Sequence, residues 1–476
     1  MTLGDVILGT HADVFHTSND RLVQGVGSAS ELGREVPAFT TDSREVVPGA
    51  LFFALRGERE DGHNFVTQAL EHGAAVAIVS RPVDGQVPTG RTLLMSPDPL
   101  HALQQLARYW RMKHELSVIG VTGSIGKTTV KEAILQALQP LGENAVLAST
   151  GNLNSEVGLP LELLRLRPDH KTAVLEMGMY QRGEIALLAD IAQPQIGVVT
   201  NVQANHLERT GSLVHTAQAK AELVHALPGE GLAVLNGDDP IVWAMAPASA
   251  ASTVSYGLSR RWDFAGTDVR GYGRDGFSLV VKHGSSDLTV SCPAPGAHNA
   301  VNILPAVAIA HYLGVAWTNI GEALAGFRVP GRAVFVDGPH GSTILDDRYN
   351  ASAASVVAAL RLLREASGNH KALLGDMYEL GDEEEPEHRM VGRACADLDS
   401  LMLLGPRTRW IKEEALRAGL PNERIFTLRD KEHAVAVARE ILGPNDVLLI
   451  KGSRGLHLED VVRALTEEMP EEIQSA

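Results

Sequence analysis

The stretch SVIGVTGSIGKTTVKEAILQAL (residues 117–138) runs an apolar, β-branched segment into a glycine-spaced turn ending in Gly-Lys-Thr, and then into a helical pattern. Strand, glycine turn and helix in that order form the setting of a phosphate-binding loop. Glycines let successive backbone N–H groups curl around an anion, and the N-terminus of the following helix adds favourable partial charge. Gly123, Ser124, Ile125, Gly126, Lys127, Thr128 and Thr129 are therefore the expected nucleotide contacts. Lys127 is expected to face the β and γ phosphates, and the Thr128 hydroxyl to ligate Mg²⁺. The spacing is a variant, because Val121 stands where the general pattern has its first glycine.

Outward from this loop, further short apolar runs recur: TAVLEMG (172–178), IGVVTNV (196–202) and LAVLNGDD (232–239), separated by helical stretches. Such runs suit parallel strands covered on both faces. Before them, ALFFAL (50–55), NFVTQALEHG (64–73) and AAVAIVS (74–80) make a small α/β unit. After about residue 329, STILDD, HKALLGDM, SLMLLG and DVLLIKGS alternate with helical segments, the pattern of a Rossmann-like domain. The expected architecture is α/β in three domains: 1–111, 112–328 with a parallel sheet and the phosphate loop, and 329–476. A chain of 476 residues is long enough for about three cores.

Composition narrows the function. A formal charge of −16 disfavours polyanion binding, so nucleic acid is not an expected partner and an ATP-like ligand needs a local site. Cys292 and Cys395 lie too far apart for a zinc spacing and are expected to be buried apolar residues of a cytoplasmic protein. No window reaches the length of a membrane span, so no membrane insertion is expected. The acidic run GDEEEPEH (381–388) reads most simply as a solvated loop or helix start. Phosphoryl transfer also needs metal neutralisation, and the C-terminal edges of the later strands offer Glu176 and His206. Taken singly, these two read equally as an edge glutamate and a backbone-satisfied loop histidine.

Together the blocks resemble the Mur ligases over essentially the whole chain, and within them the dipeptide-adding MurF type. The similarity rests on TTDSREVVPGALFFALRGEREDGHNF, GVTGSIGKTT, GNLNSEVGLPLELL, LEMGMYQRGEI, TNVQANHLERTGS, AQAKAEL, GAHNAVN, PGRA, LDDRYNASAAS, LLGDMYELG and LIKGSRGLHLE, in that order. Two blocks depart from it: Arg348 and Ser352 replace Ser and Asn in the family's Asp-Asp-Ser-Tyr-Asn-Ala-Asn, and Gln203-Ala204-Asn205-His206 stands where relatives have Pro-Ala-His.

The resemblance implies an ATP- and Mg²⁺-dependent amide ligase whose substrates are UDP-MurNAc-tripeptide and D-alanyl-D-alanine; the alternatives are a ligase of the same type taking another amino acid or carboxylate, and a P-loop kinase or nucleotide switch, and a monomer is expected. It implies that Lys127, Glu176, His206 and Lys220 carry the catalysis. Thr128 and Glu176 would hold one metal, and His206 with a carbamylated Lys220 a second. As bare sequence, Lys220 also reads as an ordinary helix lysine. Asn302, three residues after Asn299, resembles the family's adenine reader. Arg332 and Asp347 resemble groups that close on the nucleotide. Ser43, Arg44, Asp61, Gly62 and His63 match the uridine-diphosphate region, although DSR and DGH are also common turn chemistry. Asn350, Ser453 and Arg454 are the expected substrate contacts of the third domain.

Overall fold

The computed structural model describes residues 1–18, 21–24, 32–57, 60–83, 87–88, 90–151, 153–203, 212–329 and 332–467. Three sheets succeed one another along the chain, and every apolar run quoted above lies in one of them. The first sheet has the order Arg21–Gln24, Asp13–Ser18, Thr92–Met95, Val76–Val79, Leu51–Phe53, Phe39–Thr40. Its last four strands are parallel. The central sheet has nine strands, in the order Ser286–Cys292, Phe277–His283, Phe264–Gly271, Ser252–Gly257, Leu232–Asn236, Ile196–Val199, Ser117–Thr122, Thr172–Glu176, Val146–Ala148. From Val146–Ala148 to Phe264–Gly271 it is parallel, and its inner strands Thr172–Glu176, Ile196–Val199 and Leu232–Asn236 are buried residue after residue because helices cover both faces.

Beyond the expected parallel sheet, Phe264–Gly271, Phe277–His283 and Ser286–Cys292 add an antiparallel meander. The last two alternate buried with more exposed residues, as an antiparallel edge with one wet face should. The third sheet has the order Val334–Asp337, Thr343–Asp346, Asp446–Lys451, Asn369–Gly375, Ser400–Leu404, Ile425–Leu428, parallel except for its first pair. Strand Asp446–Lys451 lies between strands that precede it in sequence, which makes its C-terminal end a switch point of the kind where α/β sheets hold ligands.

The helix Pro99–Met112 joins the first two sheets. It starts cleanly: Asp98 Oδ1 accepts the N–H groups of Leu100 and His101, and Pro99 occupies the first helical position. Its Leu103, Leu106 and Ala107 belong to a single apolar cluster that contains Val6, Leu51 and Phe53 on one side and Leu159, Leu163 and Leu175 on the other. The third sheet is packed differently, since its two clusters draw only on residues after 332. Cys292 and Cys395 are both buried and unpaired. The acidic run supplies a short turn and the start of helix Glu384–Arg393, where first-turn carboxylates favour the helix dipole. Among the described residues no helix is long and apolar enough to cross a membrane.

Candidate active site

Parallel register brings the C-terminal ends of three central strands together: Thr122 pairs with Val199, and Val121 with Glu176. The phosphate loop leaves the first of these ends. Gly123 and Gly126 both have positive φ, at 147° and 85°. Gly126 caps helix Lys127–Ala137, and a Cβ there would lie 2.9 Å from Asn302 Oδ1. Lys127 Nζ donates to the loop's own carbonyls, Gly123 O at 2.9 Å and Ser124 O at 3.4 Å. Thr129 is buried beneath the turn.

Glu176 ends its strand with only 4% exposure. Its two oxygens point different ways: Oε2 accepts from Thr128 Oγ1 at 3.0 Å and Oε1 from Asn154 Nδ2 at 2.9 Å. Two hard oxygens 3.0 Å apart beside a phosphate loop fit Mg²⁺, which takes one or two protein ligands and fills its shell from phosphates and water. Among the described residues no cluster of three or more His, Cys, Asp or Glu is placed to hold a metal ion. Burial pushes the pKa of Lys127 below the ordinary lysine value, with the Glu176 carboxylate opposing the shift and the Arg332 guanidinium adding to it.

Lys220, on helix Leu213–His225, is buried at 4% exposure and makes no hydrogen bond among the described residues. Burial holds its pKa well below the lysine value, and the charge of Lys127 deepens the shift. The helix lysine is therefore a buried one, with no ion pair among the described residues. His206 lies outside the described residues.

The opposite wall comes from the third sheet. One cavity of about 330 Å³ is lined by Lys127, Thr128 and Glu176 on the central side and by Arg332, Asn350, Ser453 and Arg454 on the other. Arg332 and Arg454 flank the ring of Tyr349, at 4.8 and 5.6 Å from its centroid. Ser453 is buried, and its Oγ already accepts the N–H of Tyr378 at 2.8 Å. An adjoining cavity of about 210 Å³ is lined by Gly126, Asn299, Asn302, Arg332 and Asp347. Asn302 Nδ2 donates to Asn299 Oδ1 at 3.1 Å, and Asn299 Nδ2 donates to Pro295 O at 2.9 Å, so the pair is oriented from below.

Asp347 is held by Lys451, whose Nζ donates to Asp347 Oδ2 at 2.6 Å and to Asn350 O at 2.9 Å. Lys451 was missed by the sequence reading. Its signal was available, because it closes an apolar strand just as Glu176 does. Asn154, Tyr349 and Tyr378 sat inside quoted blocks without a role. The two departures from the family pattern have local partners: Arg348 pairs with Asp346 at 2.7 Å, and Ser352 caps helix Ala353–Glu365 in a reciprocal box with Ser355.

The first-domain group lines neither cavity. Ser43 is buried and donates to Gln68 Oε1 at 3.0 Å. Asp61 Oδ1 accepts the His63 N–H at 3.0 Å and faces its Nδ1 at 2.7 Å, while His63 Nε2 accepts the Ser80 N–H at 2.9 Å. The Ser80 bond leaves the ring proton on Nδ1. Gly62 is pressed against the Leu55 backbone, where a Cβ would meet Leu55 O at 2.6 Å. Asp61, Gly62 and His63 thus build the turn, and Ser43 is tied to helix Val66–Glu71. Arg44, 82% exposed and paired among the described residues with Asp42 alone, presents its guanidinium to solvent.

Comparison with known proteins bears on the whole chain. Residues 35–111 match the Mur ligase family catalytic domain, 121–310 the Mur ligase middle domain, and 331–454 the Mur ligase glutamate ligase domain. The UDP-N-acetylmuramoyl-tripeptide–D-alanyl-D-alanine ligase of Synechocystis is 39% identical over 436 residues, which are 90% of this chain and 92% of that protein. MurF from Acinetobacter baumannii superposes with a TM-score of 0.84 at 30% identity, covering 98% of this chain and 99% of its own. The MurF ligase of Thermotoga maritima, solved in complex with ADP, gives a TM-score of 0.78 at 28% identity, over 90% of this chain and 97% of its own. With relatives this similar over nearly their full length, the chain belongs to the Mur ligase family and is of the MurF type.

Proposed function

We propose that the protein is the cytoplasmic ATP-dependent ligase that joins D-alanyl-D-alanine to UDP-MurNAc-tripeptide in peptidoglycan precursor synthesis. The observation that carries this reading is the shared cleft: Lys127 and the Thr128–Glu176 pair face Arg332, Tyr349 and Arg454 across one cavity. The tripeptide's terminal carboxylate attacks the γ-phosphorus of ATP, forming an acyl phosphate and releasing ADP. The dipeptide's free amine then attacks the activated carbonyl, and inorganic phosphate leaves with one of the former carboxylate oxygens.

Both steps gather negative charge, so cations fixed in advance are the main device. Lys127 would meet the charge that develops on the transferred phosphoryl group, with Arg332 and Arg454 on the other wall of the cleft. Thr128 and Glu176 would hold the Mg²⁺, which supplies charge neutralisation between the phosphates. Asn302 reads the adenine edge, with Asp347 near the ribose. Lys220, whose pKa burial lowers well below the ordinary lysine value, would add its amine to CO₂ with loss of a proton, and the carbamate oxygen would hold a second metal. Arg44 neutralises the diphosphate of the UDP-sugar.

The test supplies ATP, Mg²⁺, UDP-MurNAc-tripeptide and D-alanyl-D-alanine and follows phosphate release, with each organic substrate omitted in turn. Release is expected only with both present, and not when lysine or diaminopimelate replaces the dipeptide. Phosphate release independent of both organic substrates would contradict the ligase reading.

A further inference from the structure

The phosphate loop is moulded by a neighbouring segment. Residues 200–203 leave strand Ile196–Val199 and run beneath the loop. Asn201 Oδ1 accepts the N–H of Ile125 at 2.9 Å, and Asn201 Nδ2 donates to Ile125 O at 2.8 Å, so one side-chain amide holds both polar groups of one loop residue. Thr200 Oγ1 donates to the same carbonyl at 2.7 Å, and the Ser124 N–H donates to Asn201 O at 2.9 Å. Gly123 sits so close that a Cβ would lie 1.8 Å from Thr200 Oγ1. The segment is pinned in turn: Asn236 Nδ2 donates to Thr200 O at 2.8 Å, and Asp239 Oδ2 accepts the Val202 N–H at 2.8 Å.

These bonds divide the loop's donors. The N–H groups of Ser124 and Ile125 are committed to Asn201, whereas those of Gly126, Lys127 and Thr128 precede the first helical bond, Val130 N–H to Gly126 O at 2.8 Å. Resting on the phosphate-loop reading above, we infer that Asn201 is a positioning residue for the nucleotide. By fixing the Ile125 peptide it presents the N–H groups of 126–128 to the phosphates and keeps the Ile125 carbonyl oxygen engaged, so that it does not turn toward an anion. Val121, in place of a first loop glycine, fits this division of labour: the turn takes its shape from the next strand's exit.

The experiment compares the full-length parent with Asn201→Ala and Asn201→Asp, using calorimetric titration with ADP and Mg²⁺, KM for ATP and for D-alanyl-D-alanine, and melting temperature. Loss of the two-point contact is expected to weaken ADP binding by about tenfold or more and raise KM for ATP in step, with KM for the dipeptide at the parent value. Asn201→Asp preserves size but turns an anionic oxygen toward Ile125 O, so it is expected to bind nucleotide no better than Asn201→Ala, and it carries the test should the alanine variant fail to fold. Variants that bind ADP as tightly as the parent, or that lose affinity for all substrates in equal proportion, would overturn the inference. A parent that binds no ADP would instead sink the phosphate-loop reading itself.

Discussion

Lys220 is the residue whose surroundings ask most of it. A lysine at 4% exposure, without a hydrogen bond among the described residues and near a second lysine, is disfavoured in its charged form. Lys220→Ala is expected to lower kcat by at least tenfold, with partial recovery in added acetate or formate, whose carboxylate can replace the missing anion. Unchanged kcat would contradict a ligand role. Arg44→Ala should raise KM for the UDP precursor while leaving KM for ATP unchanged, and equal effects on both would remove it from the diphosphate. At this scale the sequence was legible wherever a residue's position follows from the backbone pattern, as with Lys127 after a glycine turn and Glu176 at a strand end. It was opaque where a role depends on a distant partner. Lys451 closes an apolar strand, but the partner it holds, Asp347, lies 104 positions away, and nothing local distinguishes Asn201, which reaches Ile125 across 76.

Among the elements, the loop glycines carry the sharpest expectation. Gly123→Ala puts a methyl group 1.8 Å from Thr200 Oγ1, at a φ of 147° that side chains avoid. It should cost ~1–3 kcal/mol of stability and weaken ATP binding, as denaturant melts and titration would read; parent values in both would contradict the tight seat. Helix Glu384–Arg393 is tied to the third sheet by His388, whose Nε2 accepts the Met377 N–H at 3.1 Å while Nδ1 faces Glu384 O at 2.6 Å. Burial, the largest influence, holds the ring's pKa below the ordinary histidine value, against the pull of the Glu384 carbonyl. As pH falls through the unfolded value near about 6.5, the unfolded chain takes up a proton that the folded one does not, so folding weakens on acidification down to the folded pKa. His388→Gln should therefore lose less melting temperature than the parent between about pH 7.5 and about pH 5.5. Parallel curves would remove His388 from the acid response. The parallel strands were readable because burial on both faces leaves unbroken apolar runs. The meander at Phe264–Cys292 was not, because its signal is alternation, which a search for continuous runs passes over.

For the molecule as a whole, the cores decide which parts can move. The first two sheets share one apolar cluster through helix Pro99–Met112, whereas the third sheet's clusters end at its own boundary. Rotating the third domain breaks few core contacts, so closure should be its motion and not the first domain's. A smaller radius of gyration is expected in solution scattering when an ATP analogue and UDP-MurNAc-tripeptide are added together, and identical profiles would count against closure. Closure matters because an acyl phosphate exposed to water is hydrolysed before an amine arrives. The chemistry itself is most directly read with UDP-MurNAc-tripeptide carrying ¹⁸O in its terminal carboxylate, by following the label into the released phosphate. One labelled oxygen in each phosphate is the predicted result, and phosphate free of the label would contradict an acid primed by ATP.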